Sequence, residues 1–532
     1  MPKPRIMFWH DGRHPLVYMY EPPMQKEEYE AAVDELAGTP VEAIVFCLGD
    51  GRTVLHDTKV GEVWGHNVDK WSHLVFHRAG RNAKGLIDEG NDPLRIVCER
   101  AHQKGMLFYP SLFAQQPTDL GSGRVSNFRL HNRHLEIGAA GDLDRSQARW
   151  KGLDFKHQEV RDERFALIEE TLNNYEVDGF ELHLVCSTRF FYYFHPKEID
   201  AGRAIMTEWV GKIYEAVKQS GPERELAIRI PASVEACTSQ GLDIDEWVRQ
   251  GIVDVINGES LLGDLIDPLA DFRPFVELVK GTNCRFHASI HNHVDSDRLS
   301  NAPIAMMRAA ATNYWAQGVD GLLLDHWFGE WPYQSTFYEK LREVPHADVM
   351  DPKDKYYHIP TTTNGRPEPF LAAQQLVPGL SMQLPADLEA GAPVQLDLSI
   401  SDDLPRWEGV GRVHEVILRF RVTSATELDR LTFKLNGKEL PNTVRRTINR
   451  MYTMAAPRYR VGGYWYVFRL DREHWPAKGP NKLEVTLLER DPEVTPQAQL
   501  RDVELEVKYL RGKHFHRGFM DPDLGPYDRE MM

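Results

Sequence analysis

The feature that most restricts the fold is a regular alternation. Eight times between residues 6 and 345, a short apolar run of strand character is followed by a longer stretch of helical period. The strand-like runs are 6–9, 43–48, 106–113, 179–185, 226–230, 253–257, 285–290 and 321–325, and no hairpin signal separates one from the next. The helical stretches are 26–36, 93–104, 161–173, 202–218, 244–250, 274–280, 304–317 and 334–342. Strands in series with intervening helices call for a parallel sheet, since parallel neighbours need a crossover. Eight such units are the number that closes a (β/α)8 TIM barrel. An open doubly wound sheet would favour a glycine-rich first turn for phosphate, whereas the first turn here reads His10-Asp11-Gly12-Arg13-His14. Val177-Asp178-Gly179 and Val319-Asp320-Gly321 repeat one tight entry at strands four and eight, half a barrel apart.

The texture changes after about residue 350. Helical period disappears, and β-rich runs follow at 394–400, 416–422, 431–435, 464–470, 483–488 and 503–509. Asn436-Gly437 between two such runs is a hairpin signal. The expected organisation is α/β, with a barrel over 1–350, a Pro- and Gly-containing linker over 351–370, and an all-β sandwich or jelly roll over 371–532. Leu435-Asn436-Gly437-Lys438, taken with Pro480-Asn481-Lys482-Leu483-Glu484-Val485, resembles galactose-binding-like jelly rolls appended to carbohydrate enzymes.

Composition narrows the function. Among 532 residues, 63 Lys and Arg stand against 79 Asp and Glu, a formal charge of −16, which argues against a nucleic-acid partner. No apolar run approaches the roughly 18–20 residues that span a bilayer, so no membrane partner is expected. Met1-Pro2-Lys3-Pro4-Arg5 leads straight into a strand without an apolar signal core, which makes cytoplasmic the default expectation. Cys47, Cys98, Cys186, Cys237 and Cys284 are scattered, odd in number and contain no CxxC, so neither a disulfide framework nor a structural zinc site is expected. The sequence leaves the oligomeric state open.

In such a barrel the chemistry sits at the C-terminal strand ends. Alternation in Phe180-Glu181-Leu182-His183-Leu184 turns Glu181 and His183 inward, and Arg229 on strand five has the same inward parity. A buried cation needs a carboxylate, and Glu181 on the neighbouring strand is the expected partner. Asn257-Gly258-Glu259-Ser260 at the end of strand six places Glu259 near the rim, and Asp325 ends strand eight. Glu181, Glu259 and Asp325 are therefore the catalytic candidates. His10, Asp11, Asp50, Tyr109, His183, Arg229, His291, His293 and Trp327 are the candidates for substrate contact, the aromatic ones by stacking on sugar rings. Strand seven runs into His291-Asn292-His293, where two readings stand side by side. The imidazoles either donate hydrogen bonds to a sugar or, as an HxH pair with a carboxylate, hold a divalent metal. The sugar-contact reading leads, and no metal or other cofactor is expected.

With its eight strands placed, the chain resembles the glycosyl-hydrolase-like family-ten barrels, relatives of the α-galactosidase superfamily. The residues that carry the likeness are Val177-Asp178-Gly179-Phe180-Glu181-Leu182, Trp247-Val248-Arg249-Gln250-Gly251-Ile252-Val253-Asp254-Val255-Ile256 and Gly318-Val319-Asp320-Gly321. The resemblance implies catalytic carboxylates from strands four and six, here Glu181 and Glu259. The expected function is a glycoside hydrolase acting on an oligosaccharide, which the nearby Arg and His allow to carry acidic groups. The alternatives are a metal-dependent hydrolase or lyase using the strand-seven histidines, and a non-catalytic glycan-binding protein.

Overall fold

Strands β1 (Ile6–His10), β2 (Ala43–Cys47), β3 (Leu107–Phe113), β4 (Gly179–His183), β5 (Glu225–Pro231), β6 (Val255–Glu259), β7 (Arg285–Ile290) and β8 (Gly321–Leu324) pair in parallel in chain order. The ring closes where Phe8 of β1 faces Leu324 of β8. The computed structural model describes residues 3–14, 16–115, 124–144, 148–185, 192–263, 265–294, 298–361, 380, 382–449, 462–510, 520–521 and 525–526. The closed (β/α)8 barrel anticipated from the alternation is the fold that forms.

Alternate strand residues explain the two faces. Phe8, Ile44, Phe108, Leu182, Ile228, Ile256, Phe286 and Leu324 point outward and form one apolar core with the surrounding helices. Polar residues set the helix ends. The Asp92 side chain accepts from the Leu94 N–H at the start of Pro93–Gln103, with proline in the first turn. Asp243 caps Ile244–Gln250 in the same way, and Gly251 at φ +69° ends that helix in the left-handed region. A helix not anticipated, Leu74–Asp88, occupies the long connection after β2.

The entry to β6 corrects one boundary. The strand was expected over 253–257 but runs Val255–Glu259, because Asp254 is engaged below the sheet. Its carboxylate accepts the Leu226 N–H at 2.8 Å and Lys218 Nζ at 3.0 Å. That contact belongs to a fourfold set. Glu42, Asp178, Asp254 and Asp320 precede the even-numbered strands, and their carboxylates accept the N–H of Ile6, Phe108, Leu226 and Phe286 at 2.8–3.1 Å. Each acid donates its own N–H back to the carbonyl of the same residue at 2.9–3.0 Å. The repeated Val-Asp-Gly entries are thus two of four reciprocal clasps that join β1 to β2, β3 to β4, β5 to β6 and β7 to β8 at the barrel floor.

The barrel interior is divided. Met7, Trp9, Ala43, Val45, Cys47, Tyr109, Phe113 and Leu323, from β1, β2, β3 and β8, form a separate apolar cluster with Phe328. Opposite it, Glu181, His183, Arg229, Asn257, Glu259, His287 and Ser289 from β4 to β7, with Ser111 from β3, are all buried. Burying that much polarity is costly unless it is paired or functional.

Most of the C-terminal strands among the described residues form two antiparallel sheets. One is ordered β9 (Lys355–His358), β16 (Gln499–Tyr509), β11 (Val413–Thr423), β14 (Tyr464–Arg469), β13 (Arg445–Asn449). The other contains β10 (Pro393–Ile400), β15 (Gly479–Glu489) and β12 (Arg430–Leu435), with the short strand Lys438–Glu439 at its edge. Their facing sides share a core in which Phe420 meets Phe433 at 4.8 Å. At the β12 hairpin Asn436 and Gly437 have φ of +51° and +79°, which two-residue turns of this type require. The stretch expected as a linker is not wholly one: Lys355–His358 within it pairs with β16. Residues 362–379, the rest of that stretch and a little beyond, lie outside the described residues.

Barrel and sandwich meet on helix Ile304–Ala316, whose residues from Met306 to Tyr314 are all buried. Ala309 enters the sandwich core, and Asn313 Nδ2 bonds the carbonyls of Pro268 at 2.8 Å and Ser399 at 3.0 Å. Arg298, in the connection after β7, lies over Trp465 at 4.6 Å and bonds Tyr356 Oη at 3.2 Å and Glu504. Among the described residues no helix is long and apolar enough to cross a membrane.

Candidate active site at the mouth of the barrel

Arg229 organises the polar half of the interior. Its Nη2 and Nε bond Glu181 at 2.9 and 3.3 Å, and its Nη1 bonds Asp325 at 2.7 Å. All three side chains are fully buried, and the guanidinium lies over the Trp9 ring at 5.0 Å. Glu181 also accepts Ser111 Oγ at 2.7 Å and Asn257 Nδ2 at 2.7 Å, so four bonds hold its two oxygens. The pairing of Glu181 with Arg229 is the one its sequence parity implies. A carboxylate bonded on every side is well placed to fix Arg229 and poorly placed to attack a substrate.

Above this network β7 and β8 end side by side, with Ile290 opposite Leu324, and the next residues, His291 and Asp325, turn to a common space. His291 Nε2 is 3.8 Å from Glu259 Oε1 and 4.0 Å from Asp325 Oδ2. Neither His291 ring nitrogen is hydrogen-bonded among the described residues. Asp325 Oδ1 meets His326 Nδ1 at 2.7 Å, and the His291 and His326 rings are 5.8 Å apart. His326 holds φ +58°, a left-handed conformation that few non-glycine residues adopt, and its ring packs on Trp9 at 4.7 Å.

Charge states follow from burial and neighbours. Burial alone would raise Asp325, but Arg229, His326 and His291 outweigh it and hold the carboxyl well below the usual carboxylate range. Burial pushes His291 down to about 3 despite the opposing pull of Asp325, so its imidazole is neutral at pH 7. His183 is also pushed well down, by burial and then by Arg229. It stacks on Phe113 at 4.1 Å beneath the edge of Trp9.

The remaining sequence candidates divide from this cluster. Tyr109 faces inward but points to the opposite end, where its hydroxyl bonds Glu225 at 2.9 Å; it is part of the floor and no sugar platform. Trp327 is buried against Phe337 and donates to the Ile290 carbonyl at 2.9 Å, so its ring serves packing. His10 has outward parity, stacks on Phe46 at 5.3 Å and accepts the Gly12 N–H at 3.0 Å. Asp11 is consumed by its own turn, accepting the N–H groups of Arg13 and His14 at 2.9 and 2.8 Å and meeting His14 Nδ1 at 2.7 Å. The Asp50 backbone lies in a two-residue strand paired with Thr53–Val54, and its side chain is outside the described residues. His293 does not join His291, because β7 stops at Ile290 and the alternation stops with it. Its Nδ1 meets Asn301 Oδ1 at 3.0 Å instead. The HxH pair is therefore replaced by His291 with Asp325 and His326. Ser111, Asn257 and His326 were not among the sequence candidates; inward parity on an apolar strand was the available signal for Ser111.

No family model and no curated protein matches the chain. Among solved structures it is similar to a β-galactosidase from Marinomonas ef1, at 11% identity and TM-score 0.40, covering 64% of this chain and 59% of that one. It is also similar to a Paenibacillus cycloisomaltooligosaccharide glucanotransferase, at 10% identity and TM-score 0.34, covering 94% and 57%. An α-L-fucosidase from Vibrio sp. strain EJY3 aligns at 12% identity and TM-score 0.36, covering 94% and 96%. The chain thus spans less than two thirds of the first two proteins. Likeness at this level is one of general architecture, and no residue role is carried over from it.

Proposed function

We propose that the protein hydrolyses glycosidic bonds using Glu259 and Asp325 at the ends of β6 and β8. The observation that carries this reading is that both carboxyls face one buried imidazole, at 3.8 and 4.0 Å. Their oxygens are then at most about 8 Å apart, compatible with the roughly 5–9.5 Å over which paired carboxylates flank a glycosidic bond. Asp325 carries the direct bond to Arg229, which suits the ionised member, a nucleophile or a base on water. Glu259 then protonates the leaving oxygen. Glu181 acts through Arg229 as a positioning residue. The family-ten resemblance put the pair on strands four and six; this reading keeps strand six and exchanges strand four for strand eight. Two carboxylates already balance Arg229, so it gives no support to an acidic sugar, and a neutral oligosaccharide is the substrate class that fits.

The test is a hydrolysis screen over neutral oligosaccharides, followed by Glu259→Gln and Asp325→Asn on any substrate that is cleaved. Each variant is expected to lose roughly 10²–10⁴-fold in kcat, the scale of a general acid or base. Full turnover in both variants refutes the assignment. Glycan binding without cleavage by the unaltered protein supports the non-catalytic alternative.

A further inference from the structure

We propose that His291, Asp325 and His326 form a binding site for one divalent cation of the zinc class. The inference rests on the reading that the barrel mouth is the reaction site, and it adds a cofactor there. One ligand atom from each of the three residues lies within 4.8 Å of the others. Two imidazoles and a carboxylate are the donor set such ions take, and a three-ligand site leaves a position for water or substrate. With bonds near 2.1 Å, a tetrahedral edge is about 3.4 Å, so binding an ion moves His291 inward from its 4.0 Å separation from Asp325 and spreads His326 outward from its 2.7 Å contact.

Three further observations point to a ligand. His291 is buried, neither of its nitrogens is hydrogen-bonded among the described residues, and the ring faces Asp325. Such a side chain leaves donor and acceptor capacity unmet in a site that excludes bulk water. His326 keeps its left-handed backbone, and that geometry brings its Nδ1 onto Asp325 Oδ1, the oxygen opposite the one bonded to Arg229. Finally, three buried carboxyl groups, Glu181, Glu259 and Asp325, gather around the single guanidinium of Arg229. With Glu259 carrying the proton of the general acid, Glu181 and Asp325 still leave the cluster with a net negative charge, which favours a cation there.

Cobalt(II) titrated into the chelator-treated full-length protein and followed by its d–d absorption tests the site, with zinc competition and isothermal calorimetry giving the stoichiometry. One equivalent should bind and be displaced by zinc. His291→Gln and His326→Gln should each weaken binding at least 10-fold, while His293→Ala should leave it unchanged. Two conservative variants keep the test valid if one fails to fold. Absence of stoichiometric binding, or binding indifferent to both His291 and His326, overturns the proposal. Glycoside hydrolysis at an unreduced rate by the metal-stripped protein overturns the cofactor role and leaves the proposed function standing. Stoichiometric binding in a protein that cleaves no glycoside upholds the site and removes the function on which it was placed.

Discussion

Replacing Arg229 with methionine probes the barrel interior most directly. The guanidinium makes two bonds to Glu181, at 2.9 and 3.3 Å, and one to Asp325, at 2.7 Å, with none of the side chains exposed. A hydrogen bond to a charged group contributes about 1.5–3 kcal/mol, and orphaning one member of a buried ion pair costs about 3–5 kcal/mol. Three such bonds would sum to about 4.5–9 kcal/mol, but Glu181 keeps Ser111 and Asn257 after the change and Asp325 keeps His326, so the lower ion-pair figure applies. Arg229→Met should therefore destabilise the barrel by about 3–5 kcal/mol. Adding Glu181→Gln removes one stranded charge, and with two bonds in the pair the coupling energy should be about 2–3 kcal/mol. The single bond to Asp325 should give a coupling of about 1–2 kcal/mol in Arg229→Met/Asp325→Asn. Native-state hydrogen exchange of the β4 to β6 amides across a urea series reads the barrel separately from the sandwich. A loss under about 1 kcal/mol, or double variants that are merely additive, would refute this account of the interior.

Acid should destabilise the protein in part through buried histidines outside the Arg229 cluster. Burial holds His56 and His358 at about 4, below their ordinary 6.5. Both stay neutral in the fold while the unfolded chain takes up protons below about 6.5, so their share of the stability falls as pH drops from there and levels near 4. Each contributes up to about 3 kcal/mol, and His358→Asn should flatten the unfolding-pH profile by that share. Gly179→Ala places a Cβ 2.2 Å from Tyr109 Cε1 and 2.6 Å from the Glu225 carbonyl oxygen. It should cost at least about 2 kcal/mol in urea unfolding. Gly85→Ala, in helix Leu74–Asp88 with nothing within 4 Å of the added carbon, should instead stabilise by about 0.5–1 kcal/mol. Arg298→Ala removes the tie to Tyr356, Glu504 and Trp465 and should speed amide exchange at residues 291–294 by at least about 10-fold, the equivalent of one lost charged hydrogen bond. Unchanged exchange there would show that the sandwich does not steady the mouth.

The barrel was legible because each strand carries two signals at once, an outward apolar parity and a helix of fixed period behind it. Arg229 and Glu181 were paired by parity alone, since a buried charge on one strand demands its opposite on the next. What parity cannot supply is direction along the barrel axis. Tyr109 faces inward and yet lies at the floor, not the mouth where it was expected, drawn there by Glu225 and given room by Gly179. Nor does parity mark where a strand stops. His293 was grouped with His291 by an alternation that ends three residues earlier, and His326 was passed over because its orientation comes from a positive φ that no residue type announces. The boundary of β6 moved for a related reason: Asp254 in an otherwise apolar run is a floor contact, and the two-residue shift carries Glu259 from the rim into the strand.

The four reciprocal clasps at the floor bear on how such a chain can be rearranged. Each joins an odd-numbered strand to the even-numbered strand that follows, so every clasp is complete within one β-α-β segment. The seams between β2 and β3, β4 and β5, and β6 and β7 are spanned by none of them. The barrel is in this sense four clasped quarters, and recombination or circular permutation at an even-to-odd seam transfers whole quarters with their clasps intact, leaving contacts such as Tyr109 to Glu225 and Arg285 to Glu225 to be rebuilt across the seam. Crossover at an odd-to-even seam would ask two unrelated parents to complete a single clasp.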